Sequence, residues 1–159
     1  MKVYTIGVYN STEDDFFKKL INNKIDTFID VRQRRGVRGS KYSFVNSKKL
    51  QQKLSLLNIK YIHQLDLAPS NEVRELQKKA DLKKNELKQS REELDNSFKN
   101  SYRNLILDKF DFQYFIDNLQ KHNSSKIVFF CVEENSKACH RSLITEKIKN
   151  VFNLIINHL

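Results

Sequence analysis

KIVFFCVEENSKACHRS, residues Lys126–Ser142, decides how this chain is read. The apolar run Ile127–Val132 is too short and too rich in β-branched and aromatic residues for a helix, so it predicts a buried strand. That strand delivers Cys131 and Glu133 to a polar loop, which closes on Cys139-His140-Arg141 just before an amphipathic segment. A thiol, a carboxylate, an imidazole and a guanidinium therefore gather where a strand ends and a helix begins. In an open α/β sheet that carboxyl edge is where ligands bind.

Upstream the pattern alternates. Lys2–Val8 and Ile25–Val31 predict strands one and two. Between them Ser11 or Thr12 caps a helix whose inner face is Phe16, Phe17, Leu20 and Ile21. Ser47 is placed to cap a second helix with Leu50, Leu54 and Leu57 at helical spacing, and Ile59–His63 predicts strand three. Beyond Pro69, residues Ser70 to about Tyr102 form a charged helix-favouring stretch with a thin apolar stripe, read as one long helix or two shorter ones. A further helix starts at Asp111, the strand Ile127–Val132 is the fourth, and Ser142–His158 predicts a last helix. Strands alternating with helices imply a mostly parallel sheet joined by right-handed crossovers. The expected architecture is thus one α/β domain over residues 1–159. It has about four strands, a charged helical insertion at 70–104, and the strand order 3-2-1-4.

The chain has 159 residues, enough for a core without staples, and a mean hydropathy of −0.64. No apolar run approaches the roughly 20 residues that span a bilayer, and MKVYTIGVYNS lacks the apolar core of a signal peptide. Two cysteines make a disulfide framework a poor reading, so cytoplasm is the expected location, with no membrane partner.

The net charge of +10 is concentrated. Between Asp30 and Asp66 there is no acid, while Arg32, Arg34, Arg35, Arg38, Lys41, Lys48, Lys49, Lys53 and Lys60 fall in the same interval. A one-sign block of this kind implies an anionic partner, nucleic acid or a phosphorylated small molecule.

Five short motifs carry a resemblance. They are TIG at Thr5–Gly7, DVR at Asp30–Arg32, YSF at Tyr42–Phe44, IKY at Ile59–Tyr61 and the terminal FCVEENSKACHRS. Together they resemble the domain of unknown function 488 family, with LAPSNEVR at Leu67–Arg74 pointing to one branch of it. The Cys-x-Glu…Cys-His-Arg ending is the most specific part. The resemblance implies a compact α/β domain and brings no activity with it. Ser136 stands where many members place a proline, and no proline follows Asp-Val-Arg; both departures bear on loop rigidity.

The candidate ligand contacts follow from placement. Arg141 precedes a predicted helix, where free N–H groups and the dipole already favour an anion, and its fork suits phosphate or carboxylate. The competing use is a salt bridge to Asp30 or Glu133 that ties two loops. Arg32 and Arg38 follow strand two, Tyr42 offers a stacking face, Arg74 reaches back from the charged segment, and Gly7 permits close approach. Phe44 reads as core, and Glu133 positions its neighbours.

The thiols leave three options open. A thiolate at Cys131 or Cys139, with His140 as base, suits an enzyme acting on a phosphorylated or sulfur-carrying substrate. Zinc on Cys131, Cys139, His140 and His63 lacks a CxxC pair, so no metal and no cofactor is expected. Packing of both thiols as small apolar groups is the plainest account. The leading reading is an α/β protein that binds nucleic acid or a nucleotide at its sheet edge, with the Cys/His enzyme as its rival.

Overall fold

The computed structural model describes residues 1–159 and contains a five-stranded parallel sheet flanked by helices. Its strands are β1 (Lys2–Ile6), β2 (Thr27–Asp30), β3 (Lys60–His63), β4 (Lys126–Phe130) and β5 (Ile156–His158). The helices are α1 (Glu13–Asn22), α2 (Ser47–Leu56), α3 (Asn71–Lys84), α4 (Asn96–Tyr102), α5 (Phe112–Lys121) and α6 (His140–Phe152).

Local chemistry sets most of these boundaries. Thr12 caps α1, its hydroxyl accepting from Asp15 N at 3.1 Å, and Phe16, Phe17 and Leu20 are buried beneath it. Asp111 caps α5 through Tyr114 N at 2.8 Å. At α2 the cap is Asn46 rather than Ser47, which is the first helical residue.

The strand order is β3-β2-β4-β1-β5, which corrects the expected 3-2-1-4. β4 lies between β1 and β2, pairing Val3 with Ile127 on one side and Thr27 with Ile127 on the other. Its residues Ile127–Phe130 are all fully buried. An all-apolar strand gains most where neighbours cover both edges and both faces, so the centre of the sheet is where it belongs.

A fifth strand, Ile156–His158, stands where the sequence pattern predicts that the last helix continues. α6 stops at Asn153, which takes a left-handed φ of 53° as a helix-ending cap, and the chain turns back into β5 beside β1. Thr5 Oγ1 meets His158 Nδ1 at 2.7 Å, and Leu159 N donates to Thr5 O at 2.9 Å. Ile155 and Ile156 continue the helical spacing, which is why sequence periodicity carried the helix too far.

The charged stretch is a helix, a return and a second helix. α3 ends at Asn85 (φ 49°), residues 86–95 cross back towards the β4–α6 loop, and α4 runs into a wider π-type turn at Arg103–Leu107. Leu94 N donates to Lys137 O at 3.2 Å, and Arg91 Nη2 donates to Ala138 O at 2.9 Å. This return lays a wall over the carboxyl edge of the sheet.

Candidate functional site

Three chain segments meet at the carboxyl ends of β2 and β4. Asp30 ends β2 completely buried, and its carboxylate accepts from Arg32 Nε at 2.8 Å, Arg32 Nη2 at 2.7 Å and Tyr61 Oη at 2.8 Å. Arg32 Nη2 also donates to Val45 O at 3.0 Å, and the guanidinium lies 4.6 Å over the Phe130 ring. Arg32 is only 4% exposed, so it chiefly ties the Arg-rich loop to the sheet; Nη1 alone has no protein partner.

Arg141 is more deeply committed. It is 1% exposed, with Nη1 donating to Glu133 O at 2.6 Å and Nη2 to Glu134 O at 2.8 Å. Its fork therefore clamps the two carbonyls that leave β4, and it does not line the cavity. Neither the anion contact nor the salt bridge to Asp30 or Glu133 is what the geometry gives: the partners are backbone carbonyls. Gly7 has a related duty. A Cβ there would sit 2.0 Å from Glu133 O, so its value is close backbone approach of β1 to this loop, and it too is absent from the cavity wall.

At the floor lie Cys131, Cys139 and His140. Their Sγ and ring-nitrogen atoms all fall within 4.8 Å of one another, and all three residues are buried. His140 Nε2 lies 3.0 Å from Val31 O, a contact that requires Nε2–H and leaves Nδ1 facing Cys139 Sγ at 3.7 Å. The Tyr102 ring packs edge-on against this imidazole, centroids 5.5 Å apart, with its hydroxyl donating to Leu67 O. His63 is not part of the group, as its Nε2 bonds Arg32 O at 2.9 Å.

Glu133 closes the cluster. One oxygen, Oε1, lies 3.4 Å from both Arg91 Nη2 and Lys88 Nζ, while the buried Oε2 has no partner. Burial pushes the Glu133 carboxyl up, and the neighbouring Cys139 adds to the effect. The Cys131 thiol is held well above its ordinary range by its hydrogen bond to Cys139, then by burial. Burial opposes ionisation of Cys139, yet the Cys131 hydrogen bond and the charges of His140 and Arg141 outweigh it and hold the thiol well below its usual range. Burial likewise works against a charged His140, but Cys139 beside it raises the imidazole overall.

Above the floor opens a cavity of about 740 Å³. Eight Lys and Arg side chains reach its wall (Arg32, Arg34, Arg38, Lys41, Arg74, Lys78, Lys88 and Arg91), against the carboxylates of Asp81 and Glu133. Arg91 is paired with Asp81 at 2.8 Å, Lys78 with Glu75, and Arg32 with Asp30. Arg34, Arg38, Lys41 and Arg74 have no carboxylate partner, Arg74 meeting only the Gln33 amide oxygen at 2.6 Å. Tyr42 lines the wall beside Tyr9, ring centroids 5.4 Å apart, with Lys41 over its ring; its hydroxyl accepts from Asn10 N. Phe44 packs in the core against Phe16 and Phe17.

The structure thus brings Arg32, Arg38, Tyr42, Arg74, Glu133, Cys131, Cys139 and His140 to one cavity and leaves Arg141 and Gly7 behind it. Further along the same segment, Tyr102 is buried and Arg103 pairs with Glu146 at 3.1 Å, so neither lines the cavity. Sequence reading missed Arg91, Lys88, Asp81 and Tyr9. The first three lie on the charged stretch read as one long helix or two shorter ones, and the signal for the return that carries them inwards is Asn85, a helix-stopping residue after Lys83-Lys84.

The sequence profile of the family described as Domain of unknown function DUF488 matches residues 12–148. No curated protein and no solved structure matches the chain.

Proposed function

The chain belongs to the DUF488 family, and on that premise we propose that it binds an anionic ligand, nucleic acid or a nucleotide, in the cavity at the carboxyl edge of its sheet. The observation that carries this reading is the set of four cations without carboxylate partners, Arg34, Arg38, Lys41 and Arg74, around one concave wall beside Tyr9 and Tyr42. Uncompensated positive charge in a cleft with low-dielectric walls concentrates anions there, and the tyrosines flank the space a base would enter. No helix is long and apolar enough to cross a membrane. Cytoplasm is the compartment this reading assigns, since both buried cysteines are free there to act as thiols.

Labelled single-stranded RNA and DNA provide the test. If four phosphates are neutralised, the log–log salt slope is about −2.8 for a single strand, so affinity falls about fifty-fold between 50 and 200 mM salt. Replacing Arg38 and Arg74 together by alanine is expected to reduce that slope by about 1.4. Binding that ignores salt, or a double variant with unchanged slope, would remove the reading. Arg141 is the wrong residue for this experiment because its guanidinium holds the fold.

A second reading is favoured by the 3.7 Å approach of Cys139 Sγ to His140 Nδ1: a thiol-dependent enzyme on a phosphorylated or sulfur-carrying substrate, with His140 as the base. Selective alkylation of Cys139 in folded protein, slowed in His140→Ala, is the result that reading requires.

A further inference from the structure

We infer that Cys131, Cys139 and His140 hold one zinc ion at the cavity floor, with a fourth coordination position open to the basic cleft. The inference rests on the cleft reading for its purpose and replaces the free-thiol reading, because a thiolate bound to a metal is not a free nucleophile.

Donor type and geometry carry it. Two thiols and an imidazole form a borderline-soft set that suits zinc. Zinc bonds of about 2.3 Å to sulfur and about 2.0–2.1 Å to nitrogen put tetrahedral neighbours about 3.6 Å apart for N and S, and about 3.8 Å for two sulfurs. Here Nδ1 and the Cys139 sulfur are 3.7 Å apart, and no pair of the three donor atoms exceeds 4.8 Å. Closing on an ion therefore needs side-chain adjustments of about an ångström or less.

The histidine is already set for ligation. Nε2–H donates to Val31 O, which fixes the ring and leaves Nδ1 facing the Cys139 sulfur. A ligating histidine characteristically gives its other N–H to a backbone carbonyl or carboxylate. Tyr102 packs on the ring and blocks rotation.

A second, independent observation is Glu133. Its Oε2 is buried without a partner beside the cluster, while Oε1 is held by Arg91 and Lys88. Glu133 stands two residues after Cys131, and all four residues line the cavity. Zinc sites with three protein ligands and an open place are the catalytic kind, whereas structural sites are closed. The order ligand, one residue, glutamate is also how zinc deaminases of nucleobases set a proton-transferring carboxylate beside the metal without ligating it. The open position and Glu133 thus face the same wall that Arg38 and Arg74 line.

The test uses the 159-residue chain, purified reduced and without chelator. About one zinc per chain is expected, exchangeable for cobalt(II). The cobalt form is expected to give an intense thiolate-to-cobalt charge-transfer band and the visible absorption of a tetrahedral ion. X-ray absorption should resolve two sulfur ligands and one imidazole nitrogen. Cys131→Ser and His140→Ala should each weaken cobalt binding by at least about a hundredfold, beyond the ~10–100-fold typical of losing an outer partner. His63→Ala should keep the metal.

Substoichiometric zinc with no cobalt–thiolate band, in wild-type protein shown by circular dichroism to be folded, overturns the site whatever the variants do. A shell of four sulfurs, which requires a second chain, overturns it as well, and so does a Cys131–Cys139 disulfide in protein isolated without reductant. None of these readouts involves nucleic acid, so failure of the cleft reading and failure of the metal site are told apart.

Discussion

Arg141→Ala is expected to cost about 4 kcal/mol of stability and to lower Tm by about 10 °C for a chain of this size. The side chain is 1% exposed, the largest of the fully buried ones. Its removal leaves the buried Glu133 carbonyl without its donor at 2.6 Å and the part-buried Glu134 carbonyl without its donor at 2.8 Å. Each unsatisfied buried acceptor costs about 1–3 kcal/mol, and the void left by the guanidinium and its stem adds to that. Arg141→Lys offers one charged group where two carbonyls need donors, so it should recover only part of the loss. Denaturant unfolding of the three proteins measures this directly. A loss under about 1 kcal/mol would mean that the loop does not depend on the guanidinium, and would return Arg141 to the list of ligand contacts.

Gly7→Ala is expected to be about as damaging, at roughly 3 kcal/mol or more, for an opposite reason. The added methyl would lie 2.0 Å from Glu133 O, 2.8 Å from Glu133 C and 3.1 Å from Glu134 Cα. All three are backbone atoms, so no rotamer change relieves the overlap, and either β1 or the loop after β4 must move. Gly36→Ala is the control: nothing lies within 4 Å of its Cβ position, and the change should be neutral or slightly stabilising. Comparable unfolding midpoints for the two alanine variants would show that the approach at Gly7 is not a fixed feature of the fold.

The two effects share one atom. Glu133 O is the acceptor for Arg141 Nη1 and the atom that Gly7 makes room for. The combined variant should therefore cost less than the sum of the single ones, since either change alone frees the loop. That loop carries Glu133 into the cavity, so fold stability and site geometry are set at the same place.

Much of the architecture was legible without coordinates. The alternation of short apolar runs with amphipathic stretches is enough to give a parallel α/β sheet, because each pattern satisfies its backbone hydrogen bonds locally or with a like neighbour. Ser11 or Thr12, and Asp111, marked where their helices begin for the same reason: a cap is a contact within three residues, and the structure makes it at Thr12 and Asp111. Cys131, Glu133, Cys139 and His140 were legible as a group, since the strand end and the helix start are separated by one short loop.

What sequence could not assign was decided at longer range. β4 enters between β1 and β2 because burial on both sides rewards its all-apolar face, a comparison among strands that no local window contains. Ile156–His158 became a strand because Thr5 and His158 bond across 153 residues. Arg141 and Arg38 are the same residue type in similarly suggestive places. Yet one is buried against two carbonyls and the other is exposed on the cavity wall. A guanidinium can donate to a carbonyl or to a phosphate. Sequence determined that charge and thiols would collect at one edge of this sheet; only tertiary packing decided which of those charges had donors left to offer a ligand.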